Sequence, residues 1–207
     1  GNVRVAATLN MTEDAIRLAI ISKLTWIRNN RKDFTKYYRT SKREMVSGES
    51  HYFEGKRYLL KIKEKNQKPS VSISNMKYLV LQVRPDTGRD KREEILNNWY
   101  RKKLRLRLEK IIPKLEEKIG VSANYYGIKR MKTRWGSCNP KTKRIWLNLE
   151  LAKRSPACLE YVIIHELLHL IERHHNDKFF KLLEKFMPTW RIQRDTLDVP
   201  PLVYMGS

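Results

Sequence analysis

At 207 residues, with 41% hydrophobic and 10% aromatic side chains, the chain is long enough for one sizeable globular core or two small subdomains. Forty-four Lys and Arg against 22 Asp and Glu leave a formal charge of +22, a field that draws nucleic acid, nucleotides or acidic proteins. No apolar run approaches the roughly 18–20 residues that cross a bilayer, so no membrane partner is expected, and two cysteines exclude a disulfide framework.

In chain order, residues 3–7 alternate like a half-buried strand. Thr12 is a helix cap with Glu13 and Asp14 in the first turn, and Ile16, Ile20, Leu24 and Ile27 recur at helical spacing. That helix is expected to run through Trp26 into the low thirties. Residues 45–50 read as a loop. Residues 51–53, 58–63, 71–74 and 78–83 then alternate with period two between short polar breaks, the first of them a Glu54-Gly55 turn, which predicts antiparallel hairpins.

Pro85-Asp86-Thr87-Gly88 is the clearest boundary. It divides a β-rich N-terminal subdomain with one long helix (1–88) from a second domain (89–207). Residues 90–119 predict a long helix through Ile95, Trp99, Leu104, Leu108, Ile111, Leu115 and Ile119, kinked or split at Pro113. Among its basic residues Arg101, Lys103 and Arg105 are the candidate nucleic-acid contacts. Residues 125–131 and 145–149 read as strands, joined by the turn-rich segment Thr133-Arg134-Trp135-Gly136-Ser137-Cys138-Asn139-Pro140. Ser155-Pro156 opens the next helix as N-cap and first helical residue. This strand–turn–strand–helix order can lay a strand edge beside that helix, where an extended peptide could add as a further strand.

The chemistry is concentrated in that helix. Four of the five histidines fall within residues 165–175, two of them in His165-Glu166-Leu167-Leu168-His169. One turn apart on one helix face, two imidazoles can reach a single metal ion, with Glu166 beside them as general base: the HExxH arrangement of zinc hydrolases. A catalytic zinc usually has three protein ligands and an open position. His175 is the first choice for the third, because it adjoins the Asn176-Asp177 cap of a new helix; His174 competes, and Glu172 is the carboxylate that remains. The metzincin turn needs glycine where this chain has Glu172, and so does not apply. The helix around the motif is apolar, and burying two imidazoles and a carboxyl there without partners would cost several kcal/mol.

Read together, Arg134-Trp135-Gly136-Ser137-Cys138, Trp146-Leu147-Asn148-Leu149, the HELLH motif and His175-Asn176-Asp177-Lys178-Phe179 resemble the YgjP-like metallopeptidases, the domain-of-unknown-function family 45, related to the WLM and SprT-like proteases. The resemblance extends to fragments near Val3, Trp26 and Gly55-Lys56-Arg57-Tyr58. It implies an α+β fold in which an antiparallel β-rich part precedes a zincin-like helical domain with a small sheet. It also implies one Zn2+ held by His165, His169 and His175, with Glu166 as base. Family members carry a basic strand ahead of the segment matching Val3, so further strands are expected before residue 1.

The expected activity is therefore peptide hydrolysis in a reducing cytoplasm, where two cysteines and no visible signal peptide place the chain. Arg134 and Asn148 are the candidates for stabilising the oxyanion. Trp135 is expected to pack beneath the metal-binding helix. The basic charge and the related proteases add nucleic-acid-associated proteins as candidate substrates. The alternative is a metal-dependent nucleotide pyrophosphohydrolase, which suits the charge but lacks a Walker-type loop or a carboxylate-rich two-metal cluster. A nucleic-acid-binding module with structural zinc is weakened by Glu166 and by the open fourth site.

Overall fold

The computed structural model describes residue 7, residues 11–25 and residues 43–198, and divides the chain into two units, 1–43 and 44–207. In the first unit, helix α1 (Glu13–Ser22) starts where expected: the Thr12 hydroxyl accepts the Ala15 N–H at 3.4 Å, and Glu13 and Asp14 occupy the first turn. None of its residues is buried. The strand expected at 3–7 and the helix continuation beyond Thr25 fall outside the described residues.

The second unit begins with a four-stranded sheet in the order β1 (Ser50–Phe53), β2 (Lys56–Glu64), β4 (Tyr78–Val83), β3 (Ser70–Ser74). The outer two pairings are antiparallel, as the hairpin pattern predicts. The central one, β2 with β4, is parallel, because β4 inserts between β2 and β3. The reason is burial: Leu79, Leu81 and Val83 of β4 have no exposed surface, and a strand so apolar takes the centre of the sheet.

Helix α2 (Arg89–Ile119) turns Leu96, Tyr100, Leu104, Leu108, Leu115 and Ile119 into the core and ends on Gly120 at φ +80°. It runs through Pro113 without being split. Pro113 is exposed, so the carbonyl it leaves without a partner can face water. The second sheet, in the order β5 (Tyr125–Lys129), β7 (Arg144–Asn148), β6 (Gly136–Asn139), pairs β5 with β7 in parallel and β6 with β7 antiparallel. A 3-10 turn (Leu149–Lys153) leads into α3 (Pro156–Leu168), followed by α4 (Asp177–Phe186) and α5 (Trp190–Asp198). The architecture is α+β, with an N-terminal sheet followed by helices around a smaller second sheet. One continuous core includes Leu60 and Leu81 of the first sheet, Leu104 of α2, Leu147 of the second sheet and Ile163 of α3.

The β1–β2 turn positions the start of α3. Glu54 (φ +49°) and Gly55 (φ +79°) both lie in the left-handed region, and their N–H groups donate to the Ala152 and Lys153 carbonyls at 3.0 and 3.1 Å. Arg107 of α2 pairs with the Glu54 carboxylate. The Gly55 Cα lies so close to Ser155, the N-cap of α3, that a Cβ would sit 3.2 Å from its Cα. Gly55→Ala combines a strained φ with that contact, so it should lower stability by about 1 kcal/mol or more. Urea unfolding checks this, and an unchanged midpoint would remove the turn from the support of α3.

Candidate metal centre

Helix α3 is buried on almost every side: Leu159, Ile163, Ile164, Leu167 and Leu168 are each at most 2% exposed. At about 1.5–3 kcal/mol per fully buried aliphatic side chain, this burial fixes the rotation of the helix and hence the direction of its polar residues. The Ser155 hydroxyl caps it by accepting the Cys158 N–H at 3.3 Å, as expected. His165 and His169 face the same side, with His169 ending the helix. The chain then turns through residues 170–175, and the Asn176 side chain caps α4 by accepting the Phe179 N–H at 3.0 Å. That cap brings His175 back beside the first two histidines.

Four rings then pack as a near-regular tetrahedron. The centroids of His165, His169 and His175 are 4.8–4.9 Å apart, and the fully buried Phe179 lies 4.8–5.0 Å from each. Phe179 is thus the floor on which the three imidazoles converge. One nitrogen of each lies within 4.8 Å of the others, and the Nε2 atoms of His165 and His175 are 3.1 Å apart. Among the described residues this is the group that could hold a metal ion.

Protonation suits such a role. Burial, then the neighbouring His169 and His175, push His165 down to about 3, so its ring is neutral at ordinary pH. Burial also lowers His169, against the opposing effect of the Glu172 carbonyl. That carbonyl lies 3.2 Å from His169 Nδ1 and fixes it as the N–H, which leaves Nε2 free to ligate. The buried His165 Nδ1 has no hydrogen-bond partner among the described residues.

The other two candidates in this loop are occupied otherwise. The Glu172 carboxylate accepts the His174 N–H at 3.3 Å and lies 3.5 Å from Lys178 Nζ. The His174 carbonyl accepts the Asn176 N–H at 2.9 Å, and its ring is not part of the cluster. Both residues shape the turn that delivers His175.

Glu166 is 6% exposed, and burial raises its carboxyl to about 8, with the charge of Arg134 acting in the opposite direction. It lies against β6, the edge strand of the second sheet. A Cβ on Gly136 would stand 2.5 Å from Glu166 Oε1 and 2.8 Å from its Cγ, so only glycine allows this approach. The Asn148 N–H donates to the Trp135 carbonyl at 2.8 Å, so Gly136 and Cys138, by the alternation of an antiparallel ladder, direct their backbone groups to the open edge. Cys138 lines the same cleft, and burial followed by the Glu166 charge pushes its thiol up to about 11, which makes it an inert group at neutral pH.

The cleft encloses about 860 Å³ and contains Glu166 and the three histidines together with Arg134, Lys141, Arg173 and Arg194. Trp135 is half-buried at its wall, with the Arg154 guanidinium 5.0 Å over its ring. Asn148 does not line it. Its amide accepts the Met131 and Glu150 N–H groups at 3.3 and 3.2 Å, and donates to the Met131 and Arg134 carbonyls at 3.0 and 2.7 Å. With its capacity spent on backbone, Asn148 holds the loop that carries Arg134. Arg101, Lys103 and Arg105 also lie off the cleft, on α2, where Arg101 bonds Asn98 and Lys103 lies over Trp99. Sequence reasoning missed the roles of Gly136 and Phe179. A phenylalanine four residues after His175 was the available signal for the second; Gly136 lies in a segment that reads as a turn, where the structure forms strand β6.

Three imidazoles on an aromatic floor, beside a buried carboxyl and an open strand edge, form a group that could hold a metal ion. The family model for the YgjP-like metallopeptidase domain matches residues 1–199, and the chain belongs to that family. It is accordingly a metal-dependent peptidase with peptide or protein as substrate. Among solved structures it is similar to the metallopeptidase zymogen of Pyrococcus abyssi abylysin, at 21% identity over 44% of this chain and 90% of that one, TM-score 0.41. It is similar also to the metallopeptidase zymogen of Methanocaldococcus jannaschii jannalysin, at 23% identity over 44% and 92%, TM-score 0.39. No curated protein matches it. No helix among the described residues is long and apolar enough to cross a membrane.

The Gly136–Glu166 contact can be tested directly. Gly136→Ala should displace the carboxyl or the edge strand, at an overpacking cost of about 1–3 kcal/mol. Urea unfolding together with a crystal structure of the variant would measure both effects, and an unmoved Glu166 at wild-type stability would contradict the contact.

Proposed function

We propose that this protein is a zinc peptidase of the HExxH type, with His165, His169 and His175 as ligands and Glu166 as general base. The observation that carries the reading is the convergence of the three imidazoles on Phe179, with Glu166 held beside them against the β6 edge. An all-nitrogen donor set suits zinc, whereas magnesium prefers oxygen ligands. A bound zinc supplies Lewis acidity, polarising a peptide carbonyl and bringing the pKa of water toward 7.

The chain's own groups supply the rest. An extended substrate adds to the open edge of β6 through the backbone of Gly136 and Cys138, which lays its scissile carbonyl beside Glu166. Glu166 takes the proton of the attacking water and returns it to the leaving amine, a role supported by its place beside the histidines in the cleft. Arg134 is the group we assign to the oxyanion, since it lines the cleft and its charge reaches Glu166. Lys141, Arg173 and Arg194 favour segments that carry acidic side chains. Proteins presented on nucleic acid suit the charge of +22, with Arg101, Lys103 and Arg105 as the helix face toward phosphate. Peptide hydrolysis is preferred over nucleotide pyrophosphate hydrolysis because no carboxylate-rich metal cluster accompanies the histidines among the described residues.

Metal analysis of purified variants tests the ligands. His175→Ala should lose most of the zinc and His174→Ala should keep it; equal retention would defeat the assignment. For the base, Glu166→Gln should retain zinc and lose about 10²–10⁴-fold in turnover on an unfolded protein substrate. Wild-type turnover in that variant would exclude Glu166. Faster turnover of nucleoside triphosphates than of protein would replace the peptidase reading with the phosphohydrolase one.

A further inference from the structure

The second sheet has two unlike faces. Ile145 and Leu147 of β7 point into the core, so by strand alternation Tyr125, Gly127 and Lys129 of β5 and Arg144 and Trp146 of β7 share the opposite face. Four of these form a row. The Arg144 guanidinium lies 4.8 Å over the Tyr125 ring, the Tyr125 and Trp146 centroids are 5.5 Å apart at 64°, and Lys129 Nζ lies 4.8 Å over the Trp146 ring. Beneath them is Gly127, where a Cβ would stand 2.4 Å from two indole carbons and 2.9 Å from the Tyr125 ring. Glycine there leaves room for both rings over the strand, edge to face.

The setting is unusual in charge. Residues 118–149 contain eight Lys and Arg and no Asp or Glu, in a chain that averages about one acid in nine residues. Tyr125 is 40% exposed, and Lys129 and Arg144 are exposed. Lys141 and Lys143 extend the positive field from the turn before β7; Arg130, at the other end, is paired with Glu93. Two large rings on an outward face, each under an exposed cation and without an acid on their strands, are poorly explained by stability, since exposed cation–π contacts are weak.

We propose that this face binds single-stranded nucleic acid, with one base stacked on Tyr125, another on Trp146, and Lys129 and Arg144 released from the rings to the phosphates. The exchange is favourable because a base offers a whole π-face where a cation offers one charge, and the displaced cations gain phosphate partners. A duplex keeps its bases stacked internally and can use only the charges, so the row discriminates single from double strands. The site is separate from the cleft and does not depend on the peptidase reading.

The experiment is fluorescence anisotropy with the full chain, using a labelled oligothymidylate and a labelled duplex of equal length over a series of salt concentrations. The wild type should prefer the single strand. Tyr125→Leu and Trp146→Leu should each weaken single-strand binding about tenfold and leave the duplex nearly unchanged, with thermal melts confirming the fold. Lys129→Gln with Arg144→Gln should lower the single-strand salt slope by about 1.4. Replacing Arg101, Lys103 and Arg105 with Ser should preserve the single-strand preference. Should Trp146→Leu fail to fold, Tyr125→Leu carries the test by itself, its ring being the more exposed. Equal binding of the two probes, no detectable binding at low salt, or a folded Tyr125→Leu with wild-type affinity would overturn the proposal.

Discussion

The contact between Glu166 and Gly136 is the constraint on which the rest of the site depends. A carboxyl with 6% exposure sits in a helix whose other residues are largely buried leucine, isoleucine and valine. It fits against the hollow left by a glycine on the neighbouring strand. That hollow draws the edge of the second sheet to within van der Waals reach of the helix. A strand bearing any side chain there would stand off, and the open edge would no longer adjoin the carboxyl. Burial raises the Glu166 pKa, and the same burial fixes where the strand edge runs.

The histidine cluster obeys a similar economy of packing. Phe179 belongs to α4, and the position of α4 is set by the Asn176 cap and by contact with α3. Packed beneath the three rings, it fills the space that a looser arrangement would leave to water. Within the turn between the helices, Glu172 acts through backbone and carboxylate: its carbonyl orients His169, while its side chain holds the His174 N–H. Where a metzincin uses glycine, this chain uses a glutamate that organises its own loop.

Support for the site reaches back to the first sheet. The Glu54-Gly55 turn fastens the 3-10 turn ahead of α3, Arg107 ties that turn to α2, and the Tyr100 hydroxyl donates to the Tyr52 carbonyl at 2.8 Å. The N-terminal sheet is therefore a brace for the helix that carries the motif. Its core is continuous with that of the part that carries the histidine cluster.

The local features were legible in the sequence. The caps Thr12, Ser155 and Asn176, the four short strands, the long amphipathic helix and the helical spacing of His165 and His169 all follow from interactions between residues a few positions apart. Family resemblance further favoured His175 over His174. The parallel pairing of β2 with β4, the unsplit helix at Pro113, the commitment of Asn148 to backbone and the floor formed by Phe179 were decided only in the tertiary structure. Each depends on which distant surface a residue meets. The amide of Asn148 reads in sequence as a donor that could serve a substrate, and only the fold of the 131–134 loop over it shows that its hydrogen bonds are already taken. Gly136 is the sharpest case: the segment around it reads as a turn between two strands, and only the tertiary structure pairs it with β7 as β6 and sets it against Glu166.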